Sequence, residues 1–261
     1  MATEDPEGNT LEEPGVNRVM WTTSTIDCQA FMNSYKEKRY LDLIWDPDRY
    51  INIMLYNFSD AGILGISEFP YTVAPDYLEG CEQWTGGVPT QDQLVSPRCV
   101  SINNRYIYED NCPLTPETPD GNANYVAVTI AHELGHYLGL RHVFSENETG
   151  TECIDSDLCE DTPTYNKTAY NNLVNSIGAA GLLEHLDVLI MREDCVRGTE
   201  YKSTNIMDYA VSYSNTFTAN QRERVRYILE KGAFVPGPKN REISNSTRTA
   251  GSGELPHHVM E

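Results

Sequence analysis

The chain has 261 residues, with 39 acidic and 19 basic side chains and a formal net charge of −20 at pH 7. This acidity argues against a nucleic-acid partner, because phosphate binding needs clusters of Lys and Arg. The length suffices for one domain, or for one domain that a cleft divides into two lobes. The charge fits two interpretations, which both stay open: plain solubility, or affinity for calcium and basic substrates.

The cysteine content bears on the compartment. Seven cysteines suggest up to three disulfides and one remaining thiol, and the alternative is a set of buried free thiols. The sequence has no stretch of the roughly 20 apolar residues that a transmembrane helix needs. Its amino end is acidic where a signal peptide would be basic and then apolar. We expect a secreted, periplasmic or cell-surface protein whose signal or anchor lies outside this sequence. The oligomeric state stays open.

The first half of the chain predicts a leader, a helix and three strands. Residues 1–17 are almost devoid of apolar side chains and predict a flexible leader. Helical spacing of apolar residues predicts a helix over 25–43, capped by Ser24 or Thr25. Runs of β-forming residues predict strands at 50–56, at 63–69 (from Ile63 to Phe69) and at 100–108.

The second half predicts helices separated by loops. Prolines and Gly121 make 111–122 a loop, after which a helix is expected over 124–138. An irregular acidic loop is expected over 145–170 and a short helix over 182–191. The last helix, 219–231, has Thr218 as N-cap, Gln221 in a capping box and Gly232 as its end. We therefore expect a folded domain over 18–235, with an upper part to about 139 and a lower part over 140–235. A tail, 236–261, is expected to be mobile or draped over the surface, and its two histidines, His257 and His258, to be inert.

One motif carries the chemistry. His132, Glu133, His136, Gly139 and His142 form the pattern HExxHxxGxxH. Helix positions i and i+4 lie on one face, so His132 and His136 can bind the same tetrahedral metal ion. Gly139 permits a left-handed exit from the helix that brings His142 round as a third ligand. Three His ligands leave one position open for water, which is typical of catalytic zinc. Glu133 is placed to act on that water.

A second motif lies downstream in Asn205-Ile206-Met207-Asp208-Tyr209. A Met-containing turn after HExxHxxGxxH is the metzincin pattern. In metzincins this methionine forms an apolar floor beneath the metal, and the alternative for Met207 is an ordinary core residue. Tyr209 resembles the tyrosine that in several metzincins donates to the developing oxyanion, and its alternative is a half-buried packing role.

Further segments narrow the resemblance to one family. The sequence DTP at 161–163, Cys195, FTANQ at 217–221 and WDPDRYINI at 45–53, together with the two motifs, resemble the pappalysin family of metzincins over about 42–232. The resemblance implies an α+β fold, the metzincin catalytic domain. A twisted mixed β-sheet, a backing helix and the active-site helix would lie above the cleft, and an irregular lower subdomain would end in a helix.

The resemblance also implies site features. A disulfide would join Cys153 to Cys195, with Cys159 as the alternative partner. The strand at 63–69 would pair with an extended protein or peptide substrate by β-augmentation, and a basic residue would be preferred after the scissile bond. Relatives bind calcium near the active site, and the alternative here is a solvated acidic loop. The candidate calcium ligands are Asp155, Asp157, Glu160 and Asp161.

The function expected is that of a zinc-dependent endopeptidase with one catalytic Zn²⁺. A metal-activated water would attack the peptide bond, with Glu133 as general base and then general acid, and Tyr209 would stabilise the oxyanion. Two rivals stay open. One is a non-enzymatic surface or binding protein that keeps the metal site as a relic, and the other is a cytosolic zinc hydrolase of non-peptide bonds.

Overall fold

The architecture is α+β, as the resemblance implies. The computed structural model describes residues 1–33, 38–107, 112–119, 121–122, 124–146, 153–178, 181–209, 211–239 and 255–261. Its strands are β1 Asn52–Tyr56, β2 Gly65–Glu68, β3 Tyr71–Val73, β4 Glu82–Trp84, β5 Cys99–Asn103, β6 Met191–Asp194, β7 Thr199–Lys202 and β8 Val259–Met260. Its α-helices are α1 Cys28–Met32, α2 Lys38–Leu41, α3 Val126–Tyr137, α4 Lys167–Ile177, α5 Leu186–Leu189 and α6 Ala219–Lys231.

A four-stranded mixed sheet, in the order β1-β5-β2-β8, forms the upper part. β1 runs parallel to β5, whereas β2 is antiparallel to both β5 and β8. All residues of β5 and β2 are buried, whereas β1 alternates between buried and exposed positions. This difference follows from position, because an inner strand covered on both faces needs no polar face.

Helices cover both faces of the sheet. On one face, Val126, Ile130 and Leu134 recur every four residues along α3 and pack on a core that contains Val100 and Ile102, as expected for an amphipathic helix. On the other face, α1 packs in a second cluster that includes Ile66 and Cys99. The predicted backing helix and active-site helix are both present.

The first helix differs from its prediction. Instead of one helix over 25–43, α1 and α2 are separate and short. The N-cap is Asp27 and neither Ser24 nor Thr25, because the Asp27 carboxylate accepts a 2.9 Å hydrogen bond from Ala30 N. Aspartate is as good an N-cap as serine, and helical periodicity alone does not fix the first turn.

The lower part consists of α4, α5, the β6–β7 hairpin and α6. α6 matches the prediction, including the capping box between Thr218 and Gln221. α4 lies partly within the segment 145–170 that was expected to be irregular throughout, and Asn166 caps it by accepting from Ala169 N. Tyr170, Val174 and Ile177 recur at helical spacing along α4, a signal that the prediction overlooked, and they pack in one cluster with Tyr165 and Leu189.

Two further predictions need correction. One disulfide forms, Cys153–Cys195, and the other five cysteines are thiols, four of them buried, so five thiols remain where we had expected one. The last residues of the tail form β8 against β2, where we had expected a mobile or draped tail. No helix in the described ranges is long and apolar enough to cross a lipid bilayer. The division into leader, lobes and tail stays a prediction.

Candidate active site

Two of the three histidines lie on one face of α3 and are buried. His132 Nδ1 lies 2.7 Å from the Ile206 carbonyl oxygen, and His136 Nδ1 lies 2.8 Å from that of Leu140. Because a carbonyl can only accept, each Nδ1 carries the proton and each Nε2 keeps its lone pair. This is the tautomer that a metal ligand needs, and the carbonyls hold the rings in orientation.

The third histidine reaches the same point through a turn. Gly139 has φ +90°, a left-handed conformation that lets the chain reverse at the end of α3. His142 Nε2 then lies 3.0 Å from His136 Nε2, which is 3.1 Å from His132 Nε2. Tetrahedral zinc with Zn–N bonds of about 2.0–2.1 Å separates its ligand nitrogens by roughly 3.3 Å. The three nitrogens are therefore close to the spacing of a zinc site.

The charge state of the histidines also fits a metal. Burial lowers the pKa of His132 to about 4, and it holds the pKa values of His136 and His142 well below the ordinary range. All three rings are thus neutral at pH 7, the form that binds metal. In the part of the chain that the structure describes, these histidines are the only group of His, Cys, Asp or Glu side chains close enough to hold an ion. Three imidazoles suit zinc.

Glu133 lies between α3 and the sheet edge. A Cβ atom on Gly65, the first residue of β2, would fall 2.5 Å from Glu133 Cγ. Only glycine therefore lets this carboxyl sit beneath the strand. Glu133 is buried, and its Oε2 has no hydrogen-bond partner. Burial, and then the charge of Glu261, raise the pKa of Glu133 well above its usual range. An unpaired buried carboxyl is costly, and such groups cluster at functional sites.

Met207 packs against α3, the helix that carries His132 and His136. It is fully buried in a small cluster with Leu140 and Val143, and a Cβ on Gly135 would come within 2.4 Å of its Sδ. The glycine within α3 thus makes room for the methionine. Asn205 fixes the turn by accepting a 2.9 Å hydrogen bond from Met207 N.

Tyr209 faces the histidines from the lower side. Its ring centroid lies 4.5 Å from that of His142 and 5.7 Å from that of His132. Its hydroxyl donates a hydrogen bond to the main-chain oxygen of Glu261. Burial raises the pKa of Tyr209 above its ordinary value, so the hydroxyl keeps its proton and acts as a donor.

Sequence reasoning missed the side chains that support the site. The Glu146 carboxylate accepts a hydrogen bond from His142 Nδ1, an outer contact of the kind that fixes metal-binding histidines. The only signal was an acid four residues after the last motif histidine.

A buried brace around Asp208 was also missed. Its carboxylate accepts from Ser203 Oγ, from Tyr165 Oη at 2.5 Å and from Tyr209 N at 2.7 Å. Arg192 lies 3.6 Å away, and both charged side chains are 1% exposed. This brace fixes the backbone next to Met207 and Tyr209.

Among the residues that the structure describes, the acidic loop does not bring three of its carboxylates together, although Asp155 and Asp157 interact. Asp157 accepts from Thr162 Oγ1 at 2.6 Å and from Cys159 N at 2.9 Å. Asp161 accepts from Asn220 N, while Asp155 and Glu160 are exposed. The calcium site therefore gains no support from this loop and stays a prediction. The Cys153–Cys195 bond, across 42 residues, ties the loop to the end of β6.

Comparisons with known proteins agree with this geometry. The model of peptidase family M43, described as pregnancy-associated plasma protein-A, matches residues 90–230, more than half of the chain. An extracellular metalloprotease of Arthroderma otae is 33% identical over 120 residues, which is 44% of this chain and 37% of the relative. One from Arthroderma benhamiae is 32% identical over 123 residues, 46% of this chain and 38% of the relative. The aligned part of the chain thus spans well under half the length of these relatives.

The fold has a solved counterpart. Mature mirolysin of Tannerella forsythia, in complex with a cleaved peptide, superposes with a TM-score of 0.53 at 23% identity over 86% of this chain and 67% of that one. At this identity the match speaks to the fold alone, and the fold it supports is the metzincin catalytic domain. By its match to the family model, its fold and its histidine motif, the chain belongs to the pappalysin family of metalloendopeptidases, peptidase family M43.

Proposed function

We propose that this chain is a zinc-dependent endopeptidase. One observation carries the proposal: three neutral imidazole nitrogens converge at 3.0–3.1 Å beside Glu133, a buried carboxyl with an unpaired oxygen. Structural zinc sites use four protein ligands, whereas three ligands next to an acid–base group are typical of catalytic sites. The membership of a metallopeptidase family supports the same reaction.

Each residue has a distinct role in the proposal. His132, His136 and His142 hold zinc, which when bound lowers the pKa of water and polarises a carbonyl. Glu133 takes a proton from the attacking water and delivers it to the leaving amine. Its raised pKa suits a group that must keep that proton until the amine departs. Tyr209 donates a hydrogen bond to the oxyanion. Its contact with the Glu261 main-chain oxygen, which in this sequence belongs to the terminal carboxylate, supports an oxygen acceptor at this hydroxyl.

The substrate is proposed to be an extended peptide that pairs with β2. The structure of mirolysin, which has a similar fold, was solved in complex with a cleaved peptide. Two features bear on the expected basic residue after the scissile bond. The net charge of −20 favours basic substrates, whereas Lys167, whose Nζ lies 4.2 Å from the centroid of the Tyr209 ring, places a cation beside the site. A library of peptides that vary at this position separates the two influences.

Secretion is proposed as well, because relatives are named extracellular metalloproteases and the Cys153–Cys195 bond suits an oxidising compartment. A loop-bound calcium ion remains part of the proposal, and calorimetry with calcium tests it. Binding that the double variant Asp155→Asn, Glu160→Gln abolishes would support this ion.

The experiment for the central role compares wild type with Glu133→Gln on a mixed peptide library, with zinc content measured in both. Since the amide of the substituted side chain cannot take a proton, we expect equal zinc and a loss of cleavage of roughly 100-fold or more. Full turnover by Glu133→Gln would overturn the assignment. Zinc without cleavage in wild type would favour the binding-protein alternative.

A further inference from the structure

The last seven residues of the chain lie along the edge of the sheet that borders the histidines. β8 pairs antiparallel with β2, with Met260 opposite Ser67 and Val259 opposite Glu68. Phe69 N continues this pairing with a 2.7 Å hydrogen bond to the His258 carbonyl oxygen. Since β5 occupies the other edge of β2, the tail uses the one remaining edge of that strand.

The direction of the tail carries its end to the catalytic groups. The register brings Glu261 opposite Ile66, next to Gly65, the residue that covers Glu133. The Glu261 main-chain oxygen accepts from the Tyr209 hydroxyl, the donor proposed for the oxyanion. The backbone of Glu261 thus lies where the residue before a scissile bond would lie.

Side chains anchor the tail along its length. Leu255 and Met260 are 4% and 9% exposed and pack in two different core clusters. His257 Nδ1 lies 2.9 Å from both Glu68 Oε2 and Ser96 Oγ, and its Nε2 lies 3.2 Å from Asn33 Oδ1.

The buried Glu68 carboxylate is the acceptor to which this anchor binds. This carboxylate is 1% exposed and pairs on its other oxygen with Arg98 at 2.9 Å. The second oxygen therefore faces the tail. An imidazole or another cationic side chain fits this position, because a buried carboxylate oxygen needs a donor or a positive charge.

We infer that the segment Leu255–Glu261 is an intrachain occupant of the upstream half of the substrate cleft, held as an added strand on β2 and anchored by His257 at Glu68. The inference rests on the proposed function, because it takes the β2 edge to be the substrate edge. One strand edge pairs with one peptide at a time, so the tail and a substrate exclude each other. The tail then acts as a competitive inhibitor within the chain, and its sequence reports which side chains the upstream half of the cleft accepts.

The tether sets the strength of this competition. Fifteen residues, 240–254, separate the described body from the tail, a link of at most about 50 Å. A short tether gives a millimolar effective concentration. If the free tail binds with a dissociation constant between about 0.1 and 1 mM, the tethered tail raises the apparent KM roughly two- to tenfold.

The first test keeps the full chain and loosens the tail with the double substitution His257→Ala, Met260→Asp. We expect a two- to tenfold lower KM for a peptide substrate at unchanged kcat, because the variant only frees the cleft. Added heptapeptide LPHHVME should restore the higher KM in a competitive manner. Deletion of seven residues at the other end, 2–8, none of them buried, is the matched control and should leave KM unchanged. An unchanged KM in the double variant would overturn the inference.

A binding assay separates failure of this inference from failure of the proposed function. Fluorescein-labelled LPHHVME is titrated into zinc-loaded Glu133→Gln protein, with and without the two tail substitutions, and a scrambled heptapeptide serves as the control. We expect two- to tenfold tighter binding to the protein with the loosened tail. If the labelled peptide binds in this way but no variant cleaves peptides, the proposed peptidase function is overturned and the tail remains an occupant of the cleft. If wild type cleaves peptides but both labelled peptides bind equally to both proteins, the peptidase function stands and the inference about the tail is overturned.

Discussion

The two halves of the histidine site are held in different ways. His132 and His136 lie on α3, where helix geometry sets their spacing and one carbonyl orients each ring. His142, Met207 and Tyr209 come from loops. The side chains that hold them belong to Glu146, Asn205 and Asp208. The difference teaches that a motif can predict which residues meet, while tertiary contacts decide how firmly each one is held.

The loop-borne half depends most on the brace between Arg192 and Asp208. Substitution Arg192→Leu leaves the buried Asp208 carboxylate without its cation, and we expect unfolding to become easier by about 3–5 kcal/mol. Urea denaturation measures the change. The control is Arg226→Leu at an exposed position of α6, for which we expect little effect. Equal stability of the two variants would show that the brace does not hold this half.

The position of Glu133 on α3 depends on the absence of a side chain at Gly65. Substitution Gly65→Ala places a methyl group against Glu133 Cγ and should shift the carboxyl from its position. A displacement of about 1 Å can cost on the order of 100-fold in kcat/KM, whereas the zinc content should not change. Gly62→Ala, in the preceding turn, is the control. If Gly65→Ala keeps full activity, Glu133 does not need its place beneath β2.

The Nδ1 atoms of His132 and His136 are held by main-chain carbonyls, whereas that of His142 is held by the Glu146 side chain. A substitution at Glu146 shows whether zinc binding depends on this contact. Glu146→Gln replaces a charged acceptor of the His142 Nδ1 proton with a neutral one, so zinc affinity should fall about tenfold. Competition with a chromogenic chelator measures the affinity. Glu160→Gln, exposed in the same acidic loop, should bind zinc like wild type. An affinity that falls equally in both variants would point to the overall charge of the loop instead of this contact.

Asp157 should make the stability of the protein depend on pH. Burial raises the pKa of Asp157 to about 7, and in the unfolded chain an aspartate titrates near about 3.9. The folded protein therefore binds this proton more tightly, and the resulting stability is complete below about pH 4 and is lost as the pH rises through 7. The slope is at most about 1.4 kcal/mol per pH unit.

Thermal unfolding between pH 4 and 8 measures this slope. Asp157→Asn should flatten the profile, because the amide does not titrate in this range. Asp187→Asn, exposed on α5, should leave it as in wild type. A profile that Asp157→Asn does not alter would contradict a raised pKa at this position.

Local signals were enough to predict several elements. Thr218, Gln221 and Gly232 marked both ends of α6, because a capping box and a terminal glycine act within a few residues. The histidine motif implied its own helix and turn, since i and i+4 spacing and a left-handed glycine are local properties as well.

The features that sequence reasoning missed depend on contacts between distant segments. Arg192 and Asp208 are separated by a hairpin, and no composition or periodicity marks them as partners. The tail shows the same effect more strongly, because its histidines looked inert in a polar segment. His257 contacts Glu68, almost 200 residues away, and pairing across such a separation leaves no pattern in the sequence.

The most direct test of the account is the zinc content of wild type and of each single histidine variant after dialysis against a mild chelator. We expect one zinc per wild-type chain and none in His132→Ala, His136→Ala or His142→Ala, while the control His185→Ala, at an exposed position, should keep its zinc. A wild-type chain without zinc, or a His142→Ala chain that retains it with unchanged affinity, would contradict the claim that helix and loop together build one metal site.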